Sequence, residues 1–153
     1  MTGGRLKRAE AAIGRETFLL TYGDGVSNLD LKALIAFHRG HRKLMTMTVI
    51  QPEGRFGATV IDAQGAVTSF NEKPRGDGAW VNGGFFVCEG ALFDHIREGD
   101  STVLERGPME SLAGARQLMA YRHAGFWHCM DTLRDKVQLQ ELWESGKAQW
   151  KTW

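Results

Sequence analysis

The run Thr17-Phe18-Leu19-Leu20-Thr21-Tyr22, stopping at Gly23-Asp24-Gly25, constrains this chain more than any other segment. Aromatic and branched residues that end abruptly in Gly-Asp-Gly are the chemistry of a strand feeding a tight turn. Ser27, Asn28 and Asp30 then offer side chains that start a helix. Leu31, Leu34, Ile35 and His38 follow at the i, i+3, i+4, i+7 spacing of one helical face. Gly40 is expected to stop that helix. Leu44 to Ile50, rich in Met, Thr and Val, reads as a buried strand. Strand, helix, strand in this order predicts a right-handed crossover onto a parallel sheet.

The middle changes character. Phe56 to Asp62 and Ala66 to Phe70 read as short strands joined by Asp62-Ala63-Gln64-Gly65, a natural hairpin turn. Trp80 to Glu89 is another strand, with Asn82-Gly83-Gly84 at its start. Ala91 to Arg97 is expected as a short helix and Val103 to Ala115 as a less regular one, with Pro108 near its first turn. Gln117 to His123 and Phe126 to Met130 read as strands. Thr132 to Ser145 reads as a helix, with Thr132 as N-cap and Gly146 as the stop. The expectation is one α/β domain over residues 1–153, with a mixed sheet and a helical C-terminus.

Composition removes several function classes. The net charge is +1, which gives no long-range field to attract nucleic acid or an anionic membrane. No apolar stretch reaches the ~20 residues that span a bilayer. No apolar region follows Met1-Thr2-Gly3-Gly4-Arg5-Leu6-Lys7-Arg8, so no signal peptide is read and a cytoplasmic location is expected. Cys88 and Cys129 lack metal or redox spacing and read as buried reduced thiols. His38-Arg39-Gly40-His41-Arg42-Lys43 sits at a helix C-terminus, where cations complement the dipole. Trp143, Trp150 and Trp153 read as packing for a tail rather than as base-stacking groups. No serine elbow, P-loop or dinucleotide fingerprint is present.

Three acidic positions carry possible chemistry. Asp24 follows a strand, where open α/β sheets place ligands, but Gly-Asp-Gly is equally a plain turn. Glu72 and Lys73, in Phe70-Asn71-Glu72-Lys73-Pro74, could accept from sugar hydroxyls and offer a point charge to phosphate, or form an exposed pair in a loop. Asp131 ends the run Phe126 to Met130 just before a helix. It could face Asp24 across a metal, or simply complement the helix dipole. Mg²⁺ is usually held by one or two carboxylates plus substrate phosphates, so these two aspartates would suffice.

Five segments, in order, closely resemble one family. They are Thr2-Gly3-Gly4-Arg5-Leu6-Lys7-Arg8, Thr21-Tyr22-Gly23-Asp24-Gly25-Val26, Phe70-Asn71-Glu72-Lys73-Pro74, Asn82-Gly83-Gly84-Phe85-Phe86-Val87 and Phe126-Trp127-His128-Cys129-Met130-Asp131-Thr132. The family is the glucose-1-phosphate cytidylyltransferases, within the sugar nucleotidylyltransferases. The tail Glu141 to Lys151 is also similar to that family's C-terminus, with Gln149 where the family has Pro. The Tyr-Gly-Asp and Glu-Lys-Pro elements belong to sugar nucleotidylyltransferases generally. The Thr-Gly-Gly-Arg segment and the tail narrow the resemblance to the cytidylyl branch.

The resemblance implies a Rossmann-like mixed sheet of the sugar nucleotidyltransferase type, without its N-terminal portion: a first strand, a glycine-rich loop with its arginine, and a phosphate-contacting lysine. It implies transfer of CMP from CTP to α-D-glucose 1-phosphate with Mg²⁺, in precursor synthesis for lipopolysaccharide of the O-antigen type, by a homo-oligomer. By match, Asp24 and Asp131 would bind the metal, Gly23 would lie against the nucleotide, and Arg5 would read cytosine. Glu72 and Lys73 would hold the glucosyl phosphate, with Asn82 and Gly83 lining the sugar pocket. Asp24, Lys73 and Asp131 would carry catalysis. The alternative expectation is a catalytically inactive module that keeps sugar-phosphate binding and oligomer contacts.

Overall fold

The computed structural model describes every residue except 53, 55–56 and 73–78. Lys73 and the glycine-rich stretch after it, and the expected strand start at Phe56, therefore lie outside the described residues. The chain divides into two compact units. One comprises Met1–Gly23, Leu29–Thr48 and Gly84–Tyr121; the other comprises Asp24–Asn28, Val49–Gly83 and Arg122–Trp153.

The first unit is built on a four-stranded sheet. Its strands are β1 (Phe18–Thr21), β3 (Met45–Ile50), β6 (Val81–Cys88) and β7 (Leu118–Arg122), in the order β1-β6-β3-β7. β1 pairs antiparallel with β6, Phe18 opposite Cys88 and Thr21 opposite Phe85. The Glu89 amide donates to Leu44 O at 2.9 Å, so the end of β6 meets the start of β3 and that pair is antiparallel too. The Met45 amide donates to Gln117 O at 3.1 Å, which aligns the starts of β3 and β7 in parallel. The sheet is mixed, as expected, but β1 and β3 are not neighbours. Local order cannot reveal that β6, from later in the chain, inserts between them.

The core explains why the strands sit this way. Met45, Phe86, Cys88, Leu92, Phe93, Leu104 and Leu112 form one buried cluster, with Phe18 and Leu20 of β1 packed against it. Leu19, alternating with them, is exposed, as period two demands of a strand with one buried face. Helix α3 (Leu31–His41) begins at Asp30, whose Oδ1 accepts the Ala33 amide at 3.0 Å. It does not stop at Gly40. Arg42 ends it in a left-handed conformation at φ 55°, with its amide on His38 O.

α3 also corrects the reading of its histidines as dipole-complementing cations. His38 is 1% exposed. His41 Nδ1 accepts the Lys43 amide at 2.9 Å, so its neutral ring carries the proton on Nε2 and donates to Thr46 Oγ1 at 2.7 Å. The Thr46 hydroxyl then donates to His38 Nδ1 at 2.8 Å, and His38 Nε2 donates to Glu89 Oε1 at 2.9 Å. The Thr17 hydroxyl completes the chain on the same carboxylate, at 3.0 Å. Every member has a defined donor or acceptor role.

Two short helices precede β1 where no periodicity announces them, α1 (Thr2–Arg8) and α2 (Glu10–Ile13). Gly3 and Gly4 are poor helix formers, but α1 lies too close to its neighbours for side chains there. A Cβ on Gly4 would lie 2.5 Å from Asp100 Cα, and one on Gly3 2.7 Å from Thr102 Cγ2. After β6, the expected short helix is a 3₁₀ segment, Gly90–His95. Helix α4 (Pro108–Gly114) starts with Pro108 in its first turn. Cys88 is buried, and burial pushes its thiol up to about 12.

The second unit holds two antiparallel ribbons and a helix. β2 (Gly25–Ser27) pairs with β8 (Trp127–Cys129), and β4 (Ala58–Ile61) pairs with β5 (Val67–Asn71). The predicted hairpin turn is present. Asp62 Oδ1 accepts the amides of Gln64 and Ala66, both at 2.9 Å, and Gly65 takes φ 88°. α5 (Leu133–Glu144) begins on a capping box, Thr132 Oγ1 accepting the Asp135 amide while Asp135 accepts the Thr132 amide. In the tail, Trp150 stacks on Phe126 and Trp143, and the Lys151 ammonium lies over the Trp143 ring. Trp153 does not join them and is exposed.

Two measurements check this account. Gly40→Ala meets open space within a helix and should stabilise by up to about 1 kcal/mol. Gly4→Ala meets backbone and should destabilise by roughly 1–3 kcal/mol in urea unfolding. The second measurement is pH dependence. Burial, then the neighbouring His38 and Lys43, lower the His41 pKa from 6.5. A lowered imidazole pKa means the unfolded chain binds its proton more readily, so stability is held above 6.5 and lost as pH falls through the folded value. His41→Gln should flatten that acid-side loss.

Candidate functional site

The register of β2 on β8 places two of the predicted residues at one end of a ribbon. Gly25 lies opposite Cys129, and the ladder continues as the Met130 amide donates to Asp24 O at 2.8 Å. Asp24 and Asp131 thus leave the same end of the ribbon, one from each strand, and both are exposed. The ribbon's other end is tied down. The Asn28 amide donates to Phe126 O at 3.2 Å, and the Ser27 hydroxyl donates to the same carbonyl at 2.9 Å. His123 Nε2 reaches that carbonyl at 3.1 Å, so it carries a proton and is not a base toward Ser27.

Local chemistry keeps Asp131 at the helix mouth rather than in the cap. Asp135 does the capping, its Oδ2 accepting from the Thr132 hydroxyl and amide, each at 2.8 Å, and from the Asp131 amide at 3.2 Å. The Thr132 hydroxyl is the larger cause that holds the Asp135 carboxyl below the usual range. The Cys129 thiol donates to Asp131 Oδ2 at 3.1 Å, and burial, then Asp131, push that thiol up to about 11. Cys129 is therefore a neutral donor at ordinary pH, half-buried rather than fully buried.

The other predicted residues divide between the units. Glu72 follows β5 and is exposed; a Cβ on Gly57 would lie 2.6 Å from Phe70 Cζ and 3.1 Å from Glu72 Oε2. Asn82 is half-buried in β6. Gly83 is buried, and its carbonyl accepts from the Trp127 indole at 2.7 Å. Trp127 thus ties the Asn82-Gly83 segment to the strand that leads to Asp131, a role that its place in the Phe126–Asp131 motif hinted at only by proximity. In the first unit, Arg5 is exposed on α1, and Gly23 is exposed with open space where a Cβ would stand. Lys73 lies outside the described residues.

Two exposed carboxylates with oxygen donors suit a hard cation such as Mg²⁺, with substrate phosphates completing the shell. Among the described residues, no cluster of three or more His, Cys, Asp or Glu could hold a metal by itself. Also among the described residues, no helix is long and apolar enough to cross a membrane.

Gly84 makes the Asn-Gly-Gly element testable. Its φ is 77°, and a Cβ would lie 2.8 Å from the Tyr22 ring. Tyr22 lies edge-on to Phe86 at 5.3 Å, and its amide donates to Gly84 O at 2.9 Å. Gly84→Ala should therefore cost about 1–3 kcal/mol in thermal or urea unfolding, from backbone strain plus the displaced ring.

The chain is similar to known proteins. The family model for nucleotidyl transferases matches residues 4–144. The chain is 58% identical to the glucose-1-phosphate cytidylyltransferase of Salmonella typhi, over 100% of this chain and 59% of that protein. It is 39% identical, with the same coverage, to a probable glucose-1-phosphate cytidylyltransferase of Bacillus subtilis. The chain thus spans about three fifths of the length of these relatives. Among solved structures, apo UDP-glucose pyrophosphorylase matches with a TM-score of 0.66 at 13% identity, covering 95% of this chain and 60% of that one. A putative glucose-1-phosphate thymidylyltransferase from Bacillus anthracis matches at 0.64 and 16% identity, covering 90% and 58%. At such identities these two speak for the fold, which is that of the sugar nucleotidyltransferases. With the family model covering nearly all of its length, the chain belongs to the nucleotidyl transferase family.

Proposed function

We propose that this chain serves transfer of CMP from CTP to α-D-glucose 1-phosphate, giving CDP-glucose and pyrophosphate. The observation that carries the reading is 58% identity, along the whole chain, to a relative named for that reaction. A phosphate oxygen of glucose 1-phosphate attacks the α-phosphorus of CTP. The bond from that phosphorus to the bridging oxygen breaks, and pyrophosphate leaves with the electron pair. No protein base is required, because the attacking oxygen is already ionised. The protein's work is alignment and charge neutralisation.

Asp24 and Asp131 hold Mg²⁺ in this reading, and the ion supplies charge neutralisation at the phosphates. Glu72 accepts from glucose hydroxyls, Lys73 pairs with the sugar phosphate, and Asn82 and Gly83 line the sugar pocket. Gly23 lies against the nucleotide, where the lack of a side chain allows close approach, and Arg5 reads the cytosine. Cytoplasmic nucleotide-sugar supply for lipopolysaccharide, and assembly with further copies, belong to the same proposal.

CDP-glucose carries both halves of the site and tests this most simply. Calorimetric titration in Mg²⁺ should show it binding at least about tenfold tighter than UDP-glucose or GDP-mannose, some 1.4 kcal/mol. Equal affinity for all three would contradict the cytidylyl reading. Lys73→Ala should weaken glucose 1-phosphate far more than CTP; equal losses, or none, would count against its role.

A further inference from the structure

We propose that Glu105 is the positioning residue for the nucleotide side of this site, one carboxylate that fixes α1, with Arg5, relative to the end of β1, with Gly23. The inference rests on the reading of Arg5 and Gly23 as nucleotide contacts. No motif singles out Glu105, yet both of its oxygens are engaged across long sequence gaps. The Tyr22 phenol donates to Oε1 at 2.5 Å, and the Thr2 hydroxyl donates to Oε2 at 2.7 Å. Thr2 opens α1 and stands one turn before Arg5, on the same helical face. Tyr22 stands immediately before Gly23.

Both donors are oriented before they reach Glu105. Thr2 Oγ1 accepts the Leu104 amide at 2.9 Å, which aims its proton at the neighbouring carboxylate. Tyr22 is set by its backbone bond to Gly84 and by the Phe86 ring. The stretch that carries Glu105 also seats α1, because Asp100 and Thr102 leave room only for Gly4 and Gly3. Burial raises the Glu105 pKa, but the hydrogen bonds from Tyr22 and Thr2 outweigh it and hold the group below its usual range. The clamp is therefore ionised, and charge-assisted bonds are about twice as strong as neutral ones. A shift of one ångström at a contact residue can cost on the order of a hundredfold in rate, which makes such a clamp consequential for Arg5 and Gly23.

Glu105→Gln keeps the shape but sets an amide N–H₂ against one of the two hydroxyls. Tyr22→Phe removes a single O–H. Each variant of this chain is titrated with CTP and, separately, with glucose 1-phosphate. The chain's tyrosines number two. A ¹³Cζ tyrosine label in a Tyr121→Phe background therefore reports the Tyr22 hydrogen bond alone. We expect Glu105→Gln to shift that resonance, both variants to weaken CTP by about tenfold or more, and both to leave glucose 1-phosphate within twofold. An unchanged urea-unfolding transition of each variant shows that it folds. Equal losses for both ligands, or an altered Tyr22 resonance with unchanged CTP affinity, would overturn the positioning role while leaving the proposed function standing. A wild-type chain that binds glucose 1-phosphate but not CTP would instead overturn the nucleotide reading, and this inference with it.

Discussion

The pairing of β1 with β6 is the constraint on which the sheet depends. β6 lies between β1 and β3, and its Phe86, Val87 and Cys88 are each no more than 1% exposed. Burying side chains of this kind contributes about 1.5–3 kcal/mol apiece. The same strand carries Asn82, Gly83 and Gly84, so its packing and the proposed sugar contacts share one backbone. Gly84 shows how closely they are joined. Its left-handed conformation lets the Tyr22 ring lie on the strand, and Tyr22 leads the Tyr-Gly-Asp signature. A fold that placed β1 beside β3 would lose this contact.

The second unit shows the same economy on a smaller scale. A ribbon of three residue pairs is too short to be stable alone, and its far end is held by Ser27, His123 and the Phe126 carbonyl. That leaves its near end to present Asp24 and Asp131. Asp135 takes the capping role that would otherwise draw Asp131 into the helix start. The division of labour between the two aspartates is therefore physical: one satisfies amides, and the other remains exposed.

Much of the self-contained local chemistry was legible, although Gly40 does not end α3. Asp30 and Thr132 as caps, the Asp62–Gly65 turn, Pro108 in a first turn and the positions of β1, β3, β6, β7 and β8 all follow from residues within a few places of one another. What depended on distant partners was not. The insertion of β6, the helix built on Gly3 and Gly4, the burial of His38 between Thr46 and Glu89, and the grip of Glu105 on Thr2 and Tyr22 each need a neighbour about 50 to 100 positions away, or a strand from elsewhere. At the site, motifs singled out the candidate ligand contacts. They pointed neither to Glu105, which holds Thr2 and Tyr22, nor to the bond from the Trp127 indole to the Gly83 carbonyl.

The most direct test of the account is the position of a metal in the presence of the product. Crystals of this chain grown with CDP-glucose and Mn²⁺, in place of Mg²⁺, would locate the ion by its anomalous scattering. A peak is expected within coordination distance of carboxylate oxygens from both Asp24 and Asp131, with the glucose beside Glu72, Asn82 and Gly83. A peak away from either aspartate, or a sugar bound remote from Glu72, would contradict it.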